Sequence, residues 1–175
     1  MQNSTEMPAR LEEISIRTIE KRDNDPLARL IRTTLKEFGA DKPGTVYYDP
    51  STDHLFNLFQ QTPGSVYYVA ELNNQMVGGG GIFPSAGLPG DTCELVKMYL
   101  MPGVRGVGLG KILIQKCVDF AKDAGYKNIY LETMPELKQA LKTYEKFGFN
   151  YIDHSMGNTG HFGCDLWMLK RFDDS

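Results

Sequence analysis

The stretch "LMPGVRGVGLGKILIQ", residues 100–115, decides the fold class of this 175-residue chain. It places four glycines within eight positions and then passes directly into a helical pattern of apolar residues. The segments on either side, "CELVKMYLM" (93–101) and "NIYLETM" (128–134), have the composition of buried strands. A strand, a helix and a second strand in this order form a right-handed crossover between two parallel strands.

The spacing of the glycines limits the classes of ligand that the loop can bind. A P-loop is excluded, because Arg105 stands five positions before Gly110 and Ile112 follows Lys111 where a hydroxyl is required. A dinucleotide fingerprint fails as well, because its third glycine is replaced by Lys111. The remaining pattern, Arg105-x-x-Gly108-x-Gly110, lies directly before a helix. Free backbone N–H groups and the helix dipole at such a site favour a pyrophosphate without a metal.

The chain upstream of the loop predicts helices and an antiparallel hairpin. "EISIRTI" (13–19) alternates as a half-buried strand does, and apolar residues at helical spacing run from Pro26 to a stop at Gly39. "HLFNLFQQ" (54–61) predicts a second helix. Two strands then meet at Asn73–Asn74, residues that tolerate a tight hairpin turn. A hairpin beside a parallel crossover makes a mixed sheet.

Two segments leave alternatives open. Gly78–Gly81 places four glycines in a strand, which indicates either a close approach of another group to the backbone or a bulge. The turn-rich segment 41–53 carries Tyr47 and Tyr48, which either cover the core or form a wall of a substrate pocket.

Two longer segments carry a resemblance to a known family. "ELVKMYLMPGVRGVGLGKILI" (94–114) followed by "YLETMPELKQALKTYEKFGF" (130–149) resembles the GCN5-related N-acetyltransferase superfamily. The resemblance implies a three-layer α/β (α+β) fold. Its central sheet is mixed but mostly antiparallel, has about six to seven strands with one parallel pair splayed at the cofactor site, and is flanked by about four helices. We expect a single domain over residues 11–175 after a flexible segment 1–10.

The same resemblance implies the co-substrate and its binding residues. Acetyl-CoA is expected to give its acetyl group to the primary amine of a small molecule by direct attack in a ternary complex. The family's asparagine near the start of the last helix is Leu137 here, which removes one polar contact along the pantetheine arm. The residues expected to hold the cofactor are Met98, Leu100, Arg105, Gly106, Val107, Gly108, Leu109, Gly110 and Lys111.

Two further positions match the family's catalytic residues. A primary amine is almost fully protonated at neutral pH, and only its neutral form attacks a thioester. Glu94 is the expected base; alternatively, it is a strand residue paired with Lys97 or another cation. Tyr144 is the expected acid for the departing thiolate; alternatively, it belongs to a buried stripe with Leu137 and Leu141. The N–H of Met98 is the expected donor to the oxyanion.

The tail "HSMGNTGHFGCDLWMLKRF" (154–172) departs most from the family pattern. Gly157, Gly160 and Gly163 permit sharp turns within a final hairpin whose loop overhangs the acceptor cleft. His161 on this loop is a candidate substrate-binding residue or an alternative base; the simpler interpretation is a solvated loop histidine. The three histidines have no metal-ligand spacing, so we expect no metal.

Composition excludes several classes of function. A net charge of −3 with no basic run argues against nucleic acid as a partner. No apolar run is long enough to span a membrane, and three scattered cysteines predict reduced thiols, so we expect a cytoplasmic protein. A homodimer is compatible with the resemblance. The alternatives are an enzyme that acetylates proteins or peptides, which needs an open groove, and an acyl-CoA sensor, which needs neither Glu94 nor Tyr144.

Overall fold

The computed structural model describes residues 9–174, which fold around one seven-stranded sheet. The strands lie in the order β1-β2-β3-β4-β5-β7-β6, and all neighbouring pairs are antiparallel except β4 and β5. The predicted mixed sheet with one parallel pair is therefore confirmed. The strands are β1 (Ile14–Thr18), β2 (Val66–Leu72), β3 (Gln75–Phe83), β4 (Thr92–Leu100), β5 (Asn128–Thr133), β6 (Asn150–Ile152) and β7 (Leu166–Arg171).

Helices cover both faces of the sheet and complete the three layers. On one face lie α1 (Asn24–Glu37) and α2 (Leu55–Gln61), which bury Ile31 and Phe59 against Tyr67 and Val69 of β2. The opposite face is covered by α3 (Leu109–Asp123) and α4 (Lys138–Lys146), whose Cys117 and Tyr144 pack with Leu95 and Leu131. A third cluster lies around Val77, Leu109 and Leu113, so the apolar stripes seen in the sequence become three separate clusters of buried residues.

The first helix begins two residues earlier than its apolar pattern indicates. A 3₁₀ turn over Lys21–Asp23 leads directly into Asn24, so Pro26 lies in the first helical turn, where its missing N–H is not needed. The side-chain oxygen of Asn24 accepts a hydrogen bond from the backbone N–H of Phe56, at 2.8 Å, and ties the start of α1 to α2. At the other end Gly39 has the expected positive φ of 68°.

The hairpin and the glycine run have the geometry that the sequence allows. Asn73 and Asn74 have φ angles of 52° and 62°, as a tight turn requires. Both explanations of the run Gly78–Gly81, a close approach of another group and a bulge, are confirmed. A Cβ on Gly79 would lie 2.7 Å from the Tyr67 ring, and the pairing of β3 with β4 shifts between Gly79 and Gly81, where β4 carries an extra residue. The shift is a β-bulge at Lys97 and Met98.

The two parallel strands separate soon after they begin. β4 pairs with β5 only at Thr92, Cys93 and Glu94, although both strands continue beyond these residues. The backbone of β4 from Leu95 onwards therefore faces a gap on its β5 side. β4 and β5 are therefore the splayed parallel pair that the family resemblance implies.

The ends of the chain limit two of the sequence predictions. The flexible segment expected at 1–10 lies outside the described residues except for Ala9 and Arg10, so it stays a prediction. No helix within residues 9–174 is long and apolar enough to cross a membrane.

Candidate functional site

A cleft opens on the α1 and α2 side of the sheet, where β4 and β5 separate. Its floor is β4, with Glu94 and Lys97, and Glu132 of β5 lies beside them. The segment 41–53 contributes Asp49 to one wall, and the loop between β6 and β7 contributes His161 to the cleft. Segment 41–53 is thus a pocket wall through Val46, Asp49 and Ser51 rather than through its tyrosines.

Glu94 is the buried acid of the cleft. Its side chain is 4 % exposed, and it accepts a hydrogen bond from the Ser85 hydroxyl. Burial raises the pKa of Glu94 to about 7, and the Ser85 hydrogen bond opposes this rise. It forms no ion pair with Lys97, so the interpretation of Glu94 as one half of a salt bridge with that residue is wrong. A carboxyl group with this pKa is suited to take a proton near neutral pH.

His161 lies inside the cleft, and its interpretation as a solvated loop histidine is wrong. Only 13 % of the side chain is exposed; Nε2 lies 3.0 Å from Oδ2 of Asp49, and Nδ1 lies 3.6 Å from Oε1 of Glu132. Burial alone lowers the pKa of His161, but the two carboxylates outweigh it and raise the pKa to about 9. The imidazole is therefore charged at neutral pH, with both nitrogens turned towards acids, and it is not available as a base.

Glu132 is a polar residue of the site that sequence analysis did not single out. Its carboxylate accepts hydrogen bonds from the hydroxyls of Thr159 and of Tyr130, the latter at 2.9 Å. The Tyr130 hydroxyl in turn accepts from the backbone N–H of Met156, at 3.0 Å. A signal for Glu132 existed, because it is the one charged residue of the segment "NIYLETM". Together these bonds attach the β6–β7 loop to β5.

Two carboxylates and one imidazole of the cleft also lie close enough to one another to share a cation. Ligand atoms of Glu94, Glu132 and His161 are within 4.8 Å of one another. One oxygen of Glu94 accepts a hydrogen bond from Ser85, and both oxygens of Glu132 accept from the hydroxyls of Thr159 and Tyr130. The cluster is thus of a size for a cation, and its carboxylates already accept hydrogen bonds from neighbouring hydroxyls.

The glycine loop has the form of an anion site at the start of α3. Gly106 and Gly108 have φ angles of 79° and 96°, which only glycine adopts at low cost, and Gly108 is the residue before the helix. The first helical hydrogen bond joins the N–H of Ile112 to the carbonyl of Gly108, so the N–H groups of Leu109 to Lys111 have no acceptor within the helix. Around Gly106, a Cβ would meet no atom within 4 Å, so this face is open to a ligand.

Arg105, the first residue of the loop pattern, is engaged within the protein. Its guanidinium forms a two-pronged ion pair with Glu37 of α1, at 2.7 and 3.0 Å, and donates to the carbonyl of Leu100, at 2.9 and 3.0 Å. It also lies 5.0 Å from the centre of the Phe38 ring. In this structure the side chain therefore holds the loop to β4 and α1, while the backbone of the loop is the part left free.

Tyr144 approaches the gap from the face opposite to Glu94. It lies on α4, is buried, and its ring packs edge-on against Phe149 with 5.9 Å between ring centres. Burial raises the pKa of Tyr144 well above its usual range, so the phenol keeps its proton. Its ring belongs to the same apolar core as Leu95 of β4 and Leu131 of β5, which places it beside the separating strands. Among residues 9–174 it has no hydrogen-bond partner.

The remaining sequence-predicted residues lie along the same gap. Met98 stands at the bulge opposite Gly80, and Leu100 pairs with Gly78 at the end of β4. Leu137 caps α4 and lines the cleft with an apolar side chain. The structure thus brings the cofactor loop, the two catalytic candidates and His161 around one opening in the sheet.

This fold and this site define an acyl-transferring enzyme, and the sequence matches its family. The chain belongs to the acetyltransferase (GNAT) family, whose family model matches residues 31–149. The protein is an N-acetyltransferase, as its curated relatives are named. An Escherichia coli protein named as an uncharacterized N-acetyltransferase, YjgM, is 44 % identical over 158 residues, which are 89 % of this chain and 93 % of the relative.

More distant relatives and solved structures agree. Human N-acetylaspartate synthetase is 32 % identical over 116 residues, covering 65 % of this chain and 36 % of the relative. A GNAT acetyltransferase from Staphylococcus aureus has a TM-score of 0.77 at 19 % identity, covering 90 % of this chain and 98 % of the other. A PaiA N-acetyltransferase from Thermoplasma acidophilum, solved in complex with coenzyme A, has a TM-score of 0.69 at 19 % identity, covering 91 % and 99 %.

Proposed function

We propose that the protein transfers the acetyl group of acetyl-CoA to the primary amine of a small molecule by direct attack in a ternary complex. One observation carries the proposal: a buried carboxyl group with a pKa of about 7, Glu94, lies where the sheet opens between the cofactor loop and the acceptor cleft. An amine that arrives as an ammonium ion needs such a base before it attacks.

The donor occupies the loop and the gap. The pyrophosphate of acetyl-CoA binds the free N–H groups from Gly106 to Lys111, where the dipole of α3 adds to the attraction. The pantetheine arm continues between β4 and β5 beside Met98 and Leu100, as an added strand does. The relative from Thermoplasma acidophilum, whose structure contains coenzyme A, supports this choice of donor. No metal takes part in the proposed reaction.

The chemistry then follows from the groups around the gap. Glu94 takes a proton from the acceptor ammonium, and the neutral amine attacks the thioester carbonyl. A C–N bond forms, and the N–H of Met98 stabilises the oxyanion. When the C–S bond breaks, the thiolate takes the proton of Tyr144, and the nitrogen gives up its second proton, which returns through solvent to the Tyr144 phenolate. The proton on Glu94 passes to solvent. The products are the amide and coenzyme A.

The cover over the cleft favours a small acceptor over a peptide. The N–H of Gly163 donates to the carbonyl of Gly44 at 2.8 Å, and His161 is bonded to Asp49, so the β6–β7 loop is tied to segment 41–53. These ties close the cleft where a peptide enzyme needs an open groove. The name of the human relative, N-acetylaspartate synthetase, also denotes a small product.

Calorimetry with acetyl-CoA tests the donor site. Gly108→Glu places a side chain and a negative charge at the pyrophosphate, so we expect it to abolish binding. Gly108→Ala has the same unfavourable φ of 96° without the charge and is the matched control, expected to bind more weakly than the wild type but measurably. Equal affinity in folded wild type and Gly108→Glu would refute the loop as the donor site. Acetyl-CoA-dependent thiol release with a panel of amines then tests the reaction.

A further inference from the structure

Lys97 is a cation of the cleft that the reaction above does not use. It lies on β4 three residues after Glu94, is partly buried, and lines the cleft together with Asp49 and Glu94. Its ammonium is close enough to influence the pKa values of Asp49, Glu94 and His161. Yet it makes no hydrogen bond and no ion pair within 4.0 Å to any group of the described chain.

An ammonium group has three donors, and no group of the described chain accepts from those of Lys97. The two nearest acids have partners of their own, since Glu94 accepts from Ser85 and Asp49 is bonded to His161. The unsatisfied donors therefore face the space of the cleft.

The backbone at Lys97 is held in a conformation that favours glycine. Its φ angle is +51°, which places a long side chain in the left-handed region at the centre of a strand. The Tyr67 hydroxyl donates to the Lys97 carbonyl at 2.7 Å and fixes the bulge, while Gly80 on the facing strand leaves room for it. A lysine at a position that favours glycine costs folding free energy, which points to a role for its side chain.

We propose that Lys97 binds the carboxylate of the acceptor and that the acceptor is a small amino acid. This inference rests on the proposed acetyl transfer and names its substrate class. The ammonium of Lys97 takes the carboxylate, and the amine of the same molecule lies beside Glu94. A zwitterion fits the charges of the cleft, because Lys97 offers a cation for its carboxylate and Glu94 offers a base for its ammonium group.

The other charges of the cleft argue for a carboxylate rather than a phosphate or a second amine. The single positive charge of His161 is shared between the two carboxylates of Asp49 and Glu132, so the cleft holds little positive charge beyond Lys97. A dianionic phosphate would face these acids with one cation to compensate it, and a polyamine would place another ammonium against Lys97. Leu58, Phe59 and Phe83 form an apolar wall that suits a short aliphatic side chain.

Matched pairs of acceptors test the proposal directly. Serine and ethanolamine differ only by the carboxylate, as do leucine and isoamylamine. We expect the wild type to have a kcat/KM about 10- to 150-fold higher for the amino acid of each pair, the range that a charged hydrogen bond supplies. In Lys97→Met, which keeps the length of the side chain, this preference should disappear. Lys142→Met, at an exposed position of α4, is the control expected to keep it.

A second variant separates binding of the acceptor from folding. Lys97→Gly relieves the positive φ, so we expect a melting temperature at least equal to that of the wild type, unchanged affinity for acetyl-CoA, and loss of the preference for amino acids. A stable Lys97→Gly or Lys97→Met that still prefers the amino acid would overturn the role of Lys97.

The outcomes for the two proposals differ. A wild type that binds acetyl-CoA and acetylates ethanolamine as well as serine leaves the acetyltransferase reaction standing and refutes the amino-acid acceptor. Failure to bind acetyl-CoA, or to release its thiol with any amine, overturns both.

Discussion

His161 and Asp49 are 112 positions apart in the sequence, and Nε2 of the first lies 3.0 Å from Oδ2 of the second. The bond joins the β6–β7 loop to segment 41–53 and keeps the imidazole charged at neutral pH. Two parts of the chain that are otherwise loops thereby form one wall of the acceptor cleft.

Asp49→Asn should make the protein less stable in a pH-dependent manner. The pKa of His161 is raised from 6.5 to about 9 on folding, so the stability that this pair contributes is fully present below about pH 6.5 and is lost as the pH rises through about 9. Asp49 raises this pKa most and Glu132 contributes as well, so we expect wild type to exceed Asp49→Asn by about 2 kcal/mol in urea unfolding at pH 6, with a smaller difference at pH 9.5.

Asp53→Asn is the matched control for this measurement. Asp53 lies on the same segment and pairs with Arg32 at the surface, so its loss should cost about 1 kcal/mol or less at both pH values. If Asp49→Asn behaved like Asp53→Asn, the imidazolium pair would not be a source of stability.

Ser85→Ala should move the pH profile of the reaction. With a pKa of about 7 for Glu94, kcat/KM for the acceptor rises with pH through about 7 in the wild type. The Ser85 hydroxyl stabilises the ionised carboxylate, so its removal raises the pKa of Glu94 and shifts this limb to higher pH. Glu94→Gln should lose the limb and about 10²- to 10⁴-fold in rate, at unchanged affinity for acetyl-CoA. A profile of Ser85→Ala that moved to lower pH would contradict Glu94 as the base.

Tyr144→Phe should lower kcat by about a hundredfold while acetyl-CoA binds as before, because the missing hydroxyl acts on the leaving sulfur only in the transition state. The ring and its packing on Phe149 remain. Tyr126→Phe, whose hydroxyl donates to the Gly64 carbonyl far from the gap, is the control. Single-turnover kinetics measure the step, and full turnover in Tyr144→Phe would make this tyrosine a packing residue.

Arg105→Lys should weaken acetyl-CoA binding by about tenfold, since a lysine keeps the charge but cannot hold Glu37 and the Leu100 carbonyl together. Glu37→Gln distinguishes an indirect from a direct role in calorimetry. If Arg105 acts by fixing the loop, Glu37→Gln also weakens binding, to a smaller extent. Tighter binding in Glu37→Gln would instead mean that the freed guanidinium contacts the pyrophosphate itself.

The fold was predictable because its signals are local. The glycines of the loop, the Asn73–Asn74 turn and the apolar stripes each specify a short stretch of backbone, and neighbouring strands then pair in the order that the turns impose. The start of α1 was misplaced by two residues because a 3₁₀ turn, which has no apolar pattern, precedes Pro26.

The site was predictable where the family pattern covers it and, at His161, from the turn-forming tail that departs from that pattern. Glu94 and Tyr144 were identified by their match to that pattern, and their roles remain predictions. The two acids that pair with His161 were missed, because Asp49 and Glu132 meet it only through tertiary packing. The solvated interpretation of His161 failed for the same reason, since glycines on both sides of a residue carry no information about an acid 112 positions away.

The early separation of β4 and β5 also affects how well the folded protein resists proteolysis. Only three register pairs join the strands β1–β4 to the strands β5–β7, so the two halves of the sheet share few main-chain bonds. In the proposed complex the donor lies between β4 and β5 and bridges the halves, so we expect it to stabilise the folded chain by about 2.7 kcal/mol at a concentration 100 times its dissociation constant. Proteases cut the chain when it is locally unfolded, and a bound donor makes this state rarer. We therefore expect the enzyme to be degraded more slowly, and to reach a higher concentration, as acetyl-CoA accumulates.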